Sequence, residues 1–180
     1  MRRQRDTLEL AARAAGWPPE YETDPRWNEF SHAGPLGQPG ARERHETDVD
    51  YARRVDESID RWFAGTGEPP GEPRTAEPGT VEPRAVESGT VEPFGAFMSR
   101  VVSALEAAPP GPGETHIVFT SSGVIAVVAA HLLGEAVIWP RLNRVAVNSG
   151  VTKVVIGRRG MSLVSFNDHS HLAPEAVTYR

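Results

Sequence analysis

The sequence predicts an α/β protein with a mixed sheet. In the C-terminal half, short β-branched runs alternate with helical stretches. Two such runs, Val151–Gly157 (VTKVVIG) and Met161–Phe166 (MSLVSF), flank Arg158-Arg159-Gly160 and read as a hairpin. Apolar residues at three- and four-residue spacing mark amphipathic helices before them.

Taken in order, Gln4 to Ala15 holds good helix formers, with Leu8, Ala11, Ala12 and Ala15 on one face. Gly16 and Pro18 end it. Tyr21–Thr23 is a candidate short strand, and Asp24-Pro25 a turn. From Glu46 to Ala64, Val49, Ala52, Val55, Ile59, Trp62 and Phe63 form one stripe, stopped by Gly65. Phe94, Phe97, Met98, Val101, Val102 and Leu105 mark a further helix, and core packing accounts for these side chains. Thr115–Thr120 (THIVFT) reads as a buried strand, Val124–Leu133 as an apolar helix ending at Gly134, and Val145–Val147 as a strand.

The chain has 180 residues and a formal net charge of −5. One domain with a sizeable core fits that length. A chain of this charge lacks the basic surface that nonspecific nucleic-acid binding requires, so no nucleic-acid partner is expected. With no cysteine, disulfides, thiolate metal sites and thiol nucleophiles are excluded. The longest apolar stretch, Val124 to Leu133, is broken by His131 and falls short of the ~18 residues of a membrane span. No apolar segment follows the Met-Arg-Arg-Gln-Arg-Asp start, so the expectation is a soluble cytoplasmic protein with no membrane partner. The excess of arginine over the single lysine, Lys153, reads as codon bias.

Acidity is concentrated at 65–93, where six Glu face two Arg and eleven of 29 residues are Gly or Pro. Glu72–Val81 and Glu82–Val91 are two copies of one decapeptide, and Glu92-Pro93 begins a third. Such a segment buries too little apolar surface to offset its ordering entropy, and a disordered or polyproline-like insert is expected. Proline at each ten-residue repeat matches no solenoid. The expected organisation is one domain in two parts, 1–64 and 94–180, around this insert. Ala33–Gly40 and Pro109–Gly113 are shorter loops of similar kind.

One position points to chemistry. A strand ends at Ser121-Ser122-Gly123 and a helix starts there. Unpaired N–H groups and the positive dipole end at a helix start suit an anion such as phosphate. The same residues equally make a plain N-cap. Dinucleotide, P-loop and HExxH patterns do not occur. His169 and His171 lack an obvious third ligand, so no metal is expected. Arg44-His45-Glu46 lies in a polar segment and reads as solvated surface, while His116 and His131 read as packed core residues. Phe119 stands where a nucleophile elbow has its first glycine, although Asp168 and His169 follow Ser121 in hydrolase triad order.

The ordered segments resemble the histidine phosphatase (phosphoglycerate mutase-like) superfamily. Arg2-Arg3-Gln4-Arg5-Asp6-Thr7 resembles the family's "Leu-x-Arg-Ala-x-Gln-Thr-Ala" helix start, with Arg3 at the phosphate-binding arginine. Trp27-Asn28-Glu29-Phe30-Ser31-His32 resembles the segment whose acidic residue protonates the leaving group, which places Glu29 there as general acid. Thr120-Ser121-Ser122-Gly123-Val124-Ile125 resembles "Ser-His-Gly-Gly-Val-Ile", with Ser121 at the second catalytic histidine and Ser122 and Gly123 at the phosphate. Asn148-Ser149-Gly150-Val151-Thr152 and Asn167-Asp168-His169-Ser170-His171-Leu172 resemble the closing "Asn-x-Ser-x-Thr" and "Asn-x-x-x-His-Leu" signatures. The tail Val177-Thr178-Tyr179-Arg180 resembles that of a branch of small phosphatase-like proteins.

The resemblance implies a three-layer α/β/α phosphoglycerate mutase-like fold, incomplete at the N-terminus. It also implies phosphoryl transfer from a phosphomonoester through a phosphohistidine, without metal or other cofactor. No histidine here stands in the family's Arg-His-Gly context, and Ser121 cannot supply an imidazolium's charge. An inactive chain is therefore expected. It is read as part of a longer phosphatase-like product, or as a pseudoenzyme binding a small phosphorylated ligand or a protein partner. A serine hydrolase using Ser121 is the remaining reading. An absent central strand further implies marginal stability, or homo-oligomers through an open sheet edge.

Overall fold

The computed structural model describes residues 2–18, 20–30, 46–65, 92–107 and 109–179. Most of the 65–93 repeat, the Ala33–Gly40 loop, His32 and Arg44-His45 lie outside the described residues. The order is α1 (Arg2–Ala15), α2 (Asp48–Ala64), α3 (Phe94–Ala107), α4 (Ser122–Leu132), α5 (Trp139–Arg144), β1 (Val151–Gly157) and β2 (Gly160–Asp168). Single 3-10 turns occur at Pro25–Trp27, Ala136–Ile138 and Pro174–Ala176. The fold class is α/β. The chain forms two compact units, Met1–Glu29 with Met98–Arg180, and Phe30–Phe97.

In the first unit the central element is α4. Its sequence, SGVIAVVAAHL, carries no charged residue except by protonation of His131. Gly123, Val124 and Ala126 to Ala130 are all buried, so the helix is apolar all round, as an interior helix must be. Burial of each valine contributes roughly 1.5–3 kcal/mol. Helix α4 packs on α5 and β2. Within α5, Trp139 is wholly buried and donates from Nε1 to the Gly123 carbonyl at 2.9 Å.

The hairpin forms as its sequence dictates. Strands β1 and β2 pair antiparallel, with Gly157 opposite Gly160 across Arg158-Arg159. Gly160 takes φ 103°, which an L side chain rarely adopts. A register shift at Val151–Val154 bends the other end. There Asn167 (φ 56°) staples the chain to the Asn148-Ser149-Gly150 turn. Its Oδ1 accepts from the Val147 N–H at 2.8 Å, and its Nδ2 donates to the Val145 carbonyl at 2.7 Å. Its own N–H donates to Thr152 Oγ1 at 3.1 Å. The Asn148 N–H and side chain hold the tail at Thr178 and Tyr179.

In the second unit, α2 starts at Thr47, whose hydroxyl accepts from the Asp50 N–H at 3.1 Å. Glu46 grips Arg54 through two bonds of 2.9 Å. Rings make the core. Phe30 stacks on Trp62 at 4.5 Å, Phe63 and Phe94 meet edge-on at 4.8 Å, and Phe97 lies 5.4 Å from Phe30. The Trp62 N–H is satisfied by the Glu92 carbonyl at 2.8 Å. On α3, Phe94 and Phe97 of this unit are buried, and in the first unit Val101 is buried, all as the sequence predicts; Met98, Val102 and Leu105 are half-buried, and Ala104, outside the predicted stripe, is buried as well. The α2 stripe is narrower than expected: Ile59 is buried, but Val49 and Ala52 are exposed.

Three strand expectations require correction. Val145–Val147 contributes one bridge, Val147 to Tyr179, since α5 runs on to Arg144. Tyr21–Thr23 is not a strand, and Tyr21 is exposed. Thr115–Thr120 carries no ladder and is not buried; Ile117 and Val118 are 54% and 48% exposed. Apolar side chains cannot bury a segment that pairs with no strand among the described residues. Likewise His116 is exposed rather than packed, and His131 is half-buried with Nε2 3.9 Å from Glu106 Oε1.

Gly150 tests the staple. A Cβ there would lie 2.6 Å from Asn167 Oδ1 and 3.0 Å from the Val147 carbonyl. Gly150→Ala is expected to cost about 1–3 kcal/mol in denaturant melts, as overpacking does. An unchanged midpoint would show that Asn167 moves freely.

Candidate functional site

The start of α4 is built by four segments of the first unit. Segment 24–29 is fixed first. The Asp24 side chain caps the 3-10 turn, accepting from the Arg26 N–H at 2.8 Å. It also binds the Arg26 guanidinium, with Nη2 to Oδ2 at 2.7 Å. That hydrogen bond holds the Asp24 carboxyl below the usual carboxylate range. Arg26 Nη1 reaches the Ser103 carbonyl and hydroxyl, both at 3.3 Å. From α3, Arg100 Nη1 donates to the carbonyls of Arg26 and Asn28 at 2.8 and 2.7 Å. The Thr120 hydroxyl donates to the Trp27 carbonyl at 2.6 Å. Backbone carbonyls on both sides of Asn28 are thus held in place, and Glu29 follows directly.

Glu29 Oε2 accepts from the Gly123 N–H at 3.0 Å. Ser121 is the N-cap by backbone, but its hydroxyl makes no cap bond. Instead it accepts from Gln4 Nε2 of α1 at 2.7 Å. The capping group of α4 is therefore a carboxylate 94 residues away in sequence. A negative charge at this helix end is favoured by the dipole as well as by the bond. The N–H groups of Ser122 and Val124 make no hydrogen bond to any described residue. Gln4 Oε1 is buried without a hydrogen-bond partner among the described residues.

The structure thus brings Glu29, Ser121, Ser122 and Gly123 to one turn. Arg3 lies beside Gln4 in the first turn of α1, exposed, and its side chain binds no described residue. Gln4, Thr120, Trp27 and Trp139 are the contributors that sequence reasoning missed. Gln4, Trp27 and Thr120 lie inside the motif segments quoted from the sequence, whereas Trp139 carries no such signal.

Asp168 and His169 are engaged elsewhere. Asp168 Oδ1 accepts from the Ser170 N–H at 3.0 Å, which holds its carboxyl low. His169 Nδ1 lies 2.7 Å from the Asn167 carbonyl. Neither hydrogen-bonds to Ser121. Among the described residues no group of three His, Asp or Glu side chains is placed to hold a metal, and no helix is long and apolar enough to cross a membrane.

Removing the remote cap has a size set by capping. Glu29→Ala leaves the Gly123 N–H unbonded and is expected to lower stability by about 1 kcal/mol. Glu29→Gln keeps an acceptor and loses less. Urea melts of both variants measure the difference, and equal losses would contradict a capping role.

A family model, the histidine phosphatase superfamily (branch 1), matches residues 71–169, more than half of the 180. The match takes in Ser121–Gly123, the Asn148–Thr152 turn and Asn167–His169, and leaves Arg3 and Glu29 outside it. Neither a curated protein nor a solved structure matches the chain. The turn at the start of α4 and the Asn167 staple both fall within the matched span, and the chain belongs to the histidine phosphatase superfamily.

Proposed function

We propose that this chain, by itself, binds the phosphoryl group of a small phosphorylated ligand at the start of α4 and does not turn it over. The observation that carries this reading is the hydroxyl of Ser121, held by Gln4 at the position where the family resemblance places a catalytic histidine.

The binding half rests on backbone chemistry. Two N–H groups, of Ser122 and Val124, point from a helix start without a described partner, and the carboxylate of Glu29 already takes the third. A carboxylate there stands in for the anion that such a site favours. A phosphoryl oxygen brings more negative charge than one carboxylate oxygen, and it competes for the Gly123 N–H. Arg3, an exposed cation with no ion-pair partner among the described residues, lies one residue from Gln4 and adds charge of the right sign.

The second half rests on what phosphoryl transfer needs. A phosphohistidine route requires an imidazole nucleophile, and none of the six histidines stands in an Arg-His-Gly context. The transition state also requires cationic donors placed against the equatorial oxygens. A neutral serine hydroxyl hydrogen-bonds such an oxygen without matching its charge. Glu29, the residue in the proton-donor place, accepts a hydrogen bond from Gly123.

Two measurements on the pure chain test this. Inorganic phosphate is expected to shift the amide resonances of Ser122, Gly123 and Val124, with the shifts weakened by Arg3→Ala. No p-nitrophenol is expected from p-nitrophenyl phosphate. Steady release that is lost on Glu29→Gln would overturn the inactive half. Unmoved amides at millimolar phosphate would overturn the binding half.

A further inference from the structure

We propose that Glu29 is an internal plug of the phosphoryl site, an autoinhibitory contact that must open before a ligand binds. This inference rests on the binding reading above and adds what regulates that site. The contact that carries it is the Gly123 N–H, which donates to Glu29 Oε2 at 3.0 Å. That N–H has one proton to donate, so a carboxylate oxygen and a phosphoryl oxygen exclude each other from it. A phosphoryl group drawn to the neighbouring N–H groups of Ser122 and Val124 also meets a charge of its own sign.

The plug is delivered by a clamped segment. Arg26 Nη2 meets Asp24 Oδ2 at 2.7 Å. Arg100 Nη1 donates to the carbonyls of Arg26 and Asn28, and the Thr120 hydroxyl to that of Trp27. Each of these bonds falls on residues 24–28, just before Glu29. A carboxylate held this way competes as an intramolecular ligand, at an effective concentration set by its tether. The strength of the plug therefore depends on the clamp, and loosening the clamp opens the site from outside it.

A second polar group at this turn lacks a partner. Gln4 Nε2 donates to the Ser121 hydroxyl at 2.7 Å, while Oε1 is buried with no hydrogen-bond partner among the described residues. A half-turn of the amide reverses the pair: Ser121 donates to Oε1, and Nε2 becomes the group in need of an acceptor. A buried amide end is costly to leave unpaired, and a phosphoryl oxygen relieves it. Glu29 fills only part of what the turn can bind.

Titration of the full chain with inorganic phosphate, read at the amides of Ser122, Gly123 and Val124, tests the plug. Glu29→Ala is expected to bind at least about tenfold more tightly than the unaltered chain, the factor that a hydrogen bond to a charged group represents. Glu29→Gln keeps an acceptor without the charge and falls between them. Thr120→Val alters the clamp, leaves Glu29 in place, and tightens binding by a smaller factor. A cap with no plugging role gives a different pattern, in which Glu29→Ala loses stability and gains no affinity. Thermal melts in phosphate supply a second readout, since tighter binding raises the midpoint of Glu29→Ala more than that of the unaltered chain. Equal or weaker binding by folded Glu29→Ala overturns the plug and leaves phosphate binding in place. Shifts in Glu29→Ala alone support the plug and overturn binding by the unaltered chain. Shifts in none of the chains overturn both. Where Glu29→Ala does not fold, Glu29→Gln and Thr120→Val decide by the same comparison.

Discussion

A single carboxylate caps the buried helix of the first unit. Glu29 reaches across 94 residues of chain to accept the Gly123 N–H at the start of α4. Seven of the eleven residues of α4 are buried, and the helix packs on α5, β2 and the Ala136–Ile138 turn. The start of a buried helix is an expensive place to leave polar groups unpaired. Glu29 satisfies one such group, Trp139 satisfies the Gly123 carbonyl, and Gln4 takes the hydroxyl that would otherwise cap. The Asp24–Arg26–Arg100 clamp serves this arrangement, because it holds the backbone that delivers Glu29.

This same bond links structure to the proposed function. A helix start prefers an anion, and the chain supplies its own. Any incoming phosphoryl group must compete with that carboxylate or share the turn with it. In the proposed reading such a site discriminates by charge, and a serine in place of an imidazole leaves weak binding without chemistry. The balance between self-capping and ligand capping is then a difference of small free energies, each on the order of 1–3 kcal/mol.

Periodicity made the helices legible. The buried stripe of α3 and the apolar run of α4 follow directly from spacing, and the hairpin follows from Arg158-Arg159-Gly160 between two β-branched runs. Spacing failed at Thr115–Thr120, because an apolar run shows only what a strand is suited to, not whether neighbours exist to bury it. The strand-to-helix turn brought Ser121 and Gly123 into view and the family resemblance brought Glu29, but neither showed the bond between Glu29 and Gly123. The Ser121 hydroxyl read equally well as a cap, and only the Gln4 contact decides against that. Gln4 and Trp139 carry no pattern of their own. Their roles arise from which segments the fold places together. The closing Asn-x-Ser-x-Thr resemblance acquires a physical meaning in the Asn167 staple, which a sequence pattern alone does not reveal.

Amide hydrogen exchange at two adjacent residues tests the capping bond most directly. Ser122 and Gly123 sit side by side at the same helix start, and only the Gly123 N–H is held by Glu29. A hydrogen bond to a charged group is worth about 1.5–3 kcal/mol, so Gly123 is expected to exchange at least about tenfold more slowly than Ser122. That protection should vanish in Glu29→Ala. Equal exchange of the two amides in the unaltered chain would contradict the account.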